Sequence, residues 1–261
     1  MAKNYWQDRE AAAQAKIMER SVKETEKLLA KSYANSARKV VEEFEATYNK
    51  LLTTIADGEQ PTPADLYKLD KYWQMSNKLN FELRALGEKQ EKLLTKQFLK
   101  EFEEIYGAIS FNELTTFSTI SREGMVKAIN SIWCADGKTW SQRIWNNVEE
   151  LRETLEEELI HSITTGKTTS QLKNLLQERF DVSFRQADML VRTEMAHIQT
   201  SAAQQRYKDY GIQEVQVWAD KDERRCDVCG KLHEKKFPIH AKMPIPAHPR
   251  CRCTVIPVVE L

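Results

Sequence analysis

Apolar residues recur every three or four positions through most of the first hundred residues, and charged residues of both signs fill the positions between them. This spacing is typical of amphipathic helices that turn one apolar stripe towards a core. It predicts a first helix over about residues 6–55 and a second over about 63–106. Asp57 and Gly58 separate the two, and Thr62 followed by Pro63 is a typical helix start. Two long helices joined by a short turn predict an antiparallel hairpin.

Residues 107–165 have a shorter and more broken apolar pattern, which predicts a compact helical region. Two further helices are expected after it, with Ser183 capping the second of them and Gly211 closing that helix at the position that favours glycine. Within the last helix, Arg192 and Glu194 are two residues apart. They point in different directions on a helix, so each needs a partner of its own.

Alternating apolar residues replace the helical spacing after Gly211. The sequence Val-Gln-Val-Trp at 215–218 predicts a strand, and 253–259 is a second apolar stretch in which Pro257 favours an edge position. The fold class is therefore predicted to be mainly α with a small α+β module at the C-terminus. In chain order, the predicted divisions are a hairpin arm at 1–106, a helical region at 107–165, and a C-terminal module at 166–261 whose β segment begins at about 212.

Composition narrows the classes of protein that remain. The chain has 261 residues, of which 41% are hydrophobic and 30% charged, so it can bury a core. It has no run of about eighteen apolar residues, so no membrane span is expected. The formal net charge is zero, which gives no overall electrostatic preference for nucleic acid.

A cluster of metal-binding residue types lies near the C-terminus. Cys226 and Cys229 form a Cys-x-x-Cys knuckle, and about twenty residues later His248, Cys251 and Cys253 provide three more ligands. Two such clusters at this distance are typical of a structural zinc site. Five candidates for four tetrahedral positions favour a closed site over a catalytic one.

Two questions about this cluster stay open in the sequence. The first is which residue is the spare ligand, since Cys251 and Cys253 share a face if Arg252 lies on a strand. The second is whether the cysteines form a disulfide instead. The N-terminal residues do not resemble a signal peptide, so we expect thiols kept reduced in the cytosol. Cys134 has no partner motif and is expected to be a small buried residue.

The segment from Lys221 to Cys253 is locally basic, with nine Lys and Arg residues against four Asp and Glu. Candidate contacts to phosphate or DNA are Arg224, Arg225, Arg250 and Arg252. An ordinary basic surface is the favoured alternative.

The order of these motifs resembles the Mu F-like head morphogenesis proteins of tailed phages. The resemblance extends from about Gly166 to Pro257, and its most specific part is His-Pro-x-Cys-Arg-Cys, which begins at His248. Its other parts are the sequence Val-Arg-Thr-Glu at 191–194, Gly211, Trp218, Asp222, Arg225, the Cys-x-x-Cys knuckle and Leu232. His233 and Glu234 depart from the family pattern, so the local turn is expected to differ.

The resemblance implies a minor head, or minor capsid, protein that acts in procapsid assembly at the portal and is not an enzyme. Implied partners are the portal protein, the capsid and scaffold proteins, and phage DNA during packaging or delivery. The implied location is inside the virion head near the portal, after assembly in the host cytoplasm. The alternative is a zinc-dependent DNA-binding protein or nuclease, with His233 or His240 as base and Arg250 or Arg252 holding phosphate.

Overall fold

The computed structural model describes residues 5–53, 61–110, 120–219, 223 and 225–259. Most of the described residues are helical, and a small antiparallel sheet lies near the C-terminus, which confirms the coarse fold class. The elements are α1 (Tyr5–Leu52), α2 (Pro63–Leu66), α3 (Asp70–Ala108), α4 (Arg122–Ile129), α5 (Trp140–Thr164), α6 (Thr169–Asp209), β1 (Glu214–Trp218), α7 (Asp227–Leu232), β2 (Lys236–Pro238) and β3 (Thr254–Pro257). Among the described helices, none is both long enough and apolar enough to cross a membrane.

The chain divides into two compact units. The terminal unit comprises Met1–Glu26, Leu94–Trp140 and Met189–Leu261, and the central unit comprises Lys27–Leu93 and Ser141–Asp188. Helices α1, α3 and α6 contribute residues to both, and α5 contributes its first residue, Trp140, to the terminal unit. The three-part division expected from the sequence stays a prediction.

Helices α1 and α3 run antiparallel in each unit. In the terminal unit, Arg20 Nη2 lies 2.5 Å from Glu104 Oε2, and Lys100 Nζ lies 2.6 Å from Glu24 Oε2. In the central unit, Lys39 Nζ lies 3.0 Å from Glu82 Oε2. The first two pairs are exposed and stabilise little, whereas the Glu82 carboxylate of the third is buried. The apolar stripes between the helices provide most of the packing energy. Fully buried members of these stripes are Leu29, Tyr48, Leu79, Leu83, Phe98 and Phe102.

The second predicted helix is interrupted near its start. Helix α2 begins at Pro63 as expected, and the Thr62 N–H donates to the Asp65 carboxylate at 3.2 Å. The helix then stops at Leu66, and α3 begins after three intervening residues. The indole N–H of Trp73 donates to the Tyr67 carbonyl at 2.8 Å, so this side chain bonds a carbonyl at the break. The predicted end of the first helix at Asp57 and Gly58 lies outside the described residues.

The predicted helix boundary at Ser183 is wrong, because α6 continues through this residue for 41 residues in all. Ser183 is buried, and its hydroxyl serves a tertiary contact instead of a cap. Asn147 Nδ2 donates to Ser183 Oγ at 3.1 Å, and the Tyr33 hydroxyl lies 3.3 Å from the same oxygen. Serine usually favours helix ends, but here polar groups from α1 and α5 provide hydrogen-bond partners for its hydroxyl within a helix.

The sheet follows directly from the end of α6. Gly211 has φ +76°, its N–H donates to the Lys208 carbonyl at 2.9 Å, and the Ile212 N–H donates to the Tyr207 carbonyl at 3.0 Å. This is a Schellman motif, for which glycine is favoured because of its positive φ. The chain then enters β1 as predicted.

Strand β1 is the central strand, in the order β2-β1-β3, and both neighbours are antiparallel to it. Pro257 lies on the edge strand β3, opposite Val215, as the sequence predicts. Strand β2 was not predicted. Helices α1 and α6 hold this sheet, since Gln14 Nε2 donates to the Val255 carbonyl at 3.3 Å and to the Tyr207 hydroxyl at 2.8 Å.

Candidate metal centre

The Cys-x-x-Cys knuckle forms the start of helix α7. Cys226 has extended backbone and caps the helix, and its sulfur accepts a hydrogen bond from the Cys229 N–H at 3.4 Å. The Gly230 N–H donates to the Cys226 carbonyl at 2.9 Å and tightens the same turn. This turn brings the two thiols to one side of the backbone. Cys229 is buried, whereas Cys226 is partly exposed.

His248 lies beside the knuckle. Its Nε2 atom is 3.3 Å from Cys226 Sγ and 3.1 Å from Cys229 Sγ. Its other ring nitrogen, Nδ1, lies 2.8 Å from the Pro249 carbonyl oxygen. Donation from Nδ1 to that carbonyl raises the pKa of His248 and leaves Nε2 directed at the sulfurs. Metal-binding histidines are commonly oriented by such a bond from the second ring nitrogen.

Cys251 and Cys253 complete the cluster from the other side. The sulfurs of Cys229 and Cys251 are 3.8 Å apart, and the sulfurs of Cys229, Cys251 and Cys253 all lie within 4.8 Å of one another. All three of these cysteines are buried. Within the described residues, the five candidates therefore form two triads, one with His248 and one with the C-terminal cysteines, and Cys229 belongs to both.

The thiols of the cluster have divergent pKa values. A hydrogen bond from the Cys253 thiol lowers the pKa of Cys251 to about 5, and the same bond, together with burial, raises the pKa of Cys253. Burial raises the pKa of Cys229 to about 12. The backbone N–H of Cys229 lowers the pKa of Cys226. Cysteine binds a metal as a thiolate, so a bound cation would displace the protons that these crowded sulfurs share.

The donor set and its spacing fit zinc. Tetrahedral coordination with ordinary Zn–S and Zn–N bond lengths places two sulfurs about 3.8 Å apart and a sulfur about 3.6 Å from a nitrogen. The Cys229–Cys251 distance has this value, and the His248 distances are a few tenths of an ångström shorter. Thiolate and imidazole donors favour zinc over magnesium or calcium.

Three of the four candidate phosphate contacts lie among the described residues. Arg225 is exposed and precedes the knuckle. Arg250 is exposed, and Arg252 is partly buried, on the two sides of Cys251. The backbone N–H of Arg250 donates to the Thr193 hydroxyl at 3.1 Å, which joins the His248–Cys253 loop to α6. Arg224 lies outside the described residues.

Two further histidines are the candidate bases of the nuclease alternative. His233 Nδ1 accepts a hydrogen bond from the Ala219 N–H at 3.2 Å, and its ring contacts Trp218 edge-on with a centroid distance of 4.6 Å. This histidine therefore takes part in joining β1 to the end of α7. His240 is exposed in the turn after β2. Neither belongs to the two triads found among the described residues.

Arg192 and Glu194 have separate partners, as their spacing requires. Arg192 Nη2 lies 2.6 Å from Glu26 Oε2 on α1. Glu194 is buried, and its carboxylate accepts a hydrogen bond from the Trp133 indole at 2.8 Å. The sequence analysis did not identify Trp133 as a functional residue. The only indication in the sequence is a tryptophan in a turn-rich stretch that predicts no regular element.

Comparison with known proteins bears on this same region. Residues 153–256 match the family described as Phage Mu protein F like protein. The match covers nearly all of the stretch that resembles Mu F-like proteins, so the predicted family is confirmed for this part of the chain. It includes the last twelve residues of α5, all of α6, and the whole candidate metal centre.

A curated relative gives a second comparison. The chain is 24% identical over 219 residues to the NAD(+)–arginine ADP-ribosyltransferase EFV of Enterococcus faecalis, and the match covers 74% of this chain. It covers 44% of the relative, so the chain spans less than half of that protein's length. No solved protein structure was found to match this chain.

Proposed function

We propose that this protein is a minor head protein of a tailed phage and that it acts in head assembly at the portal. The observation that supports the proposal is the match of residues 153–256 to the Phage Mu protein F like family, which coincides with the Cys and His cluster. In this proposal the protein enters the procapsid with the portal, capsid and scaffold proteins and remains in the virion head.

The proposed role of the cluster is structural. Cys226, Cys229 and His248, with a fourth ligand from Cys251 or Cys253, would hold one zinc ion. When bound, zinc would cross-link the knuckle of α7 to the loop that leads into β3. These elements are short, and a three-stranded sheet of this size has little core of its own. A zinc site therefore explains how the segment keeps one conformation.

A structural role without enzymatic activity is part of this proposal. The Enterococcus faecalis relative is named for ADP-ribosyl transfer to arginine. An activity of that whole protein does not follow for a chain that matches less than half of it at 24% identity.

Contact with phage DNA also belongs to the proposal. The exposed Arg225 and Arg250 would make it weak and dependent on salt.

Portal-dependent incorporation tests the proposed function. The protein is expressed with the portal, coat and scaffold proteins of its own phage, and procapsids are purified on a gradient with and without portal. We expect the protein to co-sediment at low copy number only when portal is present, as measured by quantitative mass spectrometry. Absence from the particles, or equal incorporation without portal, contradicts a role at the portal.

A further inference from the structure

A shallow apolar groove lies beside the candidate metal centre, within the terminal unit. Its volume is about 580 Å³, which is in the range of about 300–1,000 Å³ that is usual for ligand-binding clefts. One wall is the turn after α4, another is α7, and the third is the loop that precedes His248. The described residues that line it include Trp133, Cys134, Ala135, Val228, Lys231 and Pro246.

Apolar side chains at the groove are exposed. Val228 is 53% exposed, and Ile132, which precedes the Trp133 wall, is 59% exposed. Cys134 was expected to be buried, but it is only partly buried and lines the groove. Exposed apolar side chains gathered at one groove are compatible with a small protein interaction site.

The walls of the groove are held by contacts outside it. The Trp133 indole donates to the buried Glu194, and its ring stacks on His197 with a centroid distance of 4.6 Å and an interplanar angle of 12°. At the start of the third wall, Gln204 Nε2 donates to the Ile239 and Ala241 carbonyls, at 2.5 and 2.8 Å. Helix α7 begins at the Cys-x-x-Cys knuckle. A site built on such fixed elements loses little conformational entropy when it binds.

Lys231 gives the groove a charge preference. Among the described residues that line the groove, it is the one with a charged side chain, and it is exposed on the last turn of α7. Within the described part of the chain, Lys231 has no hydrogen bond or ion pair. An apolar surface with a single unpaired ammonium group complements an apolar ligand that carries one carboxylate.

We propose that this groove binds a short apolar peptide segment of a partner protein, with a Glu or Asp side chain paired to Lys231. The apolar side chains of the segment would cover Val228 and the Trp133 wall. The inference does not depend on the proposed role in phage heads, because it rests on the shape and charge of the groove alone.

The test uses the full-length protein and an array of short apolar peptides rich in Leu, Ile, Phe and Met. Each peptide carries one Glu, and matched sets carry Gln or Lys at the same position. Binding of the best peptides is then measured by fluorescence polarisation. We expect the Glu set to bind best, and Lys231→Glu to weaken that set about fivefold, the effect of a partly exposed ion pair, while the Lys set gains.

Two control variants test whether the peptides bind in the groove and whether the charge preference comes from Lys231. Ala135→Trp fills the groove from its exposed wall, away from the metal ligands, and should abolish binding of every set. Lys236→Glu makes the same charge change on exposed strand β2 and should change nothing. Circular dichroism and zinc content verify that each variant is folded.

Several results would overturn the proposal. These are failure of all three peptide sets to bind, binding that survives Ala135→Trp, and a charge preference that Lys231→Glu leaves unchanged. A wild-type dimer in sedimentation that Ala135→Trp converts to a monomer would assign the groove to a second copy of this chain instead.

Discussion

Glu101 is the carboxyl group whose ionisation is least favourable among the residues described in the terminal unit. It is fully buried on α3, and this burial raises its pKa from 4.5 to about 7, although the Ser21 hydroxyl partly opposes the increase. The folded protein therefore keeps the carboxyl group protonated over a pH range in which the unfolded chain ionises it. Stability consequently falls as the pH rises from about 4.5 to about 7, and the full penalty is present above that range.

Glu101→Gln should remove this dependence on pH. The penalty is roughly 3 kcal/mol, since a tenfold change in an acid dissociation constant corresponds to about 1.4 kcal/mol. We expect the free energy of unfolding of the variant to equal that of the wild type near pH 4.5 and to exceed it by up to this amount near pH 8. Urea unfolding of both proteins at the two pH values measures this difference in the free energy of unfolding. A difference between the two proteins that does not vary with pH would contradict the assignment to Glu101.

Substitution of Cys229 is expected to have a large effect on metal binding and stability, because this residue belongs to both triads of the candidate metal centre. Cys229→Ser should abolish zinc binding and make residues 214–257 sensitive to protease, while far-UV helicity stays largely unchanged. The expected loss is large, since structural zinc contributes roughly 10–16 kcal/mol in small zinc-binding peptides. Cys134→Ser is the matched control, because Cys134 lies outside the cluster, and it should retain both zinc and resistance. Protease resistance that survives Cys229→Ser would exclude the structural role.

At the scale of elements, helix α6 shows how a local signal is overridden by distant contacts. Ser183 is a good cap residue, but its hydroxyl lies among Tyr33 and Asn147, which come from two other helices. Local propensity is a weak guide where such a buried polar contact is available.

Ser183→Ala tests this explanation. The change removes the hydroxyl that contacts Tyr33 and Asn147, while Asn147 Nδ2 keeps its bonds to the Tyr33 hydroxyl and to the Ser183 carbonyl. It should therefore lower the free energy of unfolding by about 0.5–1.5 kcal/mol, the usual net contribution of a hydrogen bond. Ser170→Ala, on the exposed first turn of the same helix, should change stability much less. Equal effects of the two substitutions, measured by chemical unfolding, would show that the Ser183 contact contributes little.

Other elements were predictable because their signals are local. Gly211 ends α6 by the positive φ that the motif requires, and the alternation at 215–218 forms β1. The ligand spacing around Cys226 and His248 also predicts which side chains meet, since both clusters lie within one short segment. The groove at Trp133 was not predictable in this way. Its walls come from the turn after α4, from α7 and from the loop before His248, and no local pattern connects them.

At the scale of the whole molecule, the compact units do not follow the order of the sequence. The terminal unit gathers three separate stretches of chain, and the central unit gathers two. Apolar periodicity predicts that α1 and α3 are long, but it does not specify that residues near both ends of the chain share one unit. Buried contacts such as Gln14 with Tyr207 join such distant stretches, and neither side chain belongs to a recognisable motif in the sequence.

We propose that one zinc ion holds the C-terminal module through the Cys and His cluster. The most direct test is native mass spectrometry of the full-length protein, purified under reducing conditions without added metal. One zinc ion per chain in the wild type, and none in Cys229→Ser, is the expected result. A metal-free wild-type mass would contradict this proposal.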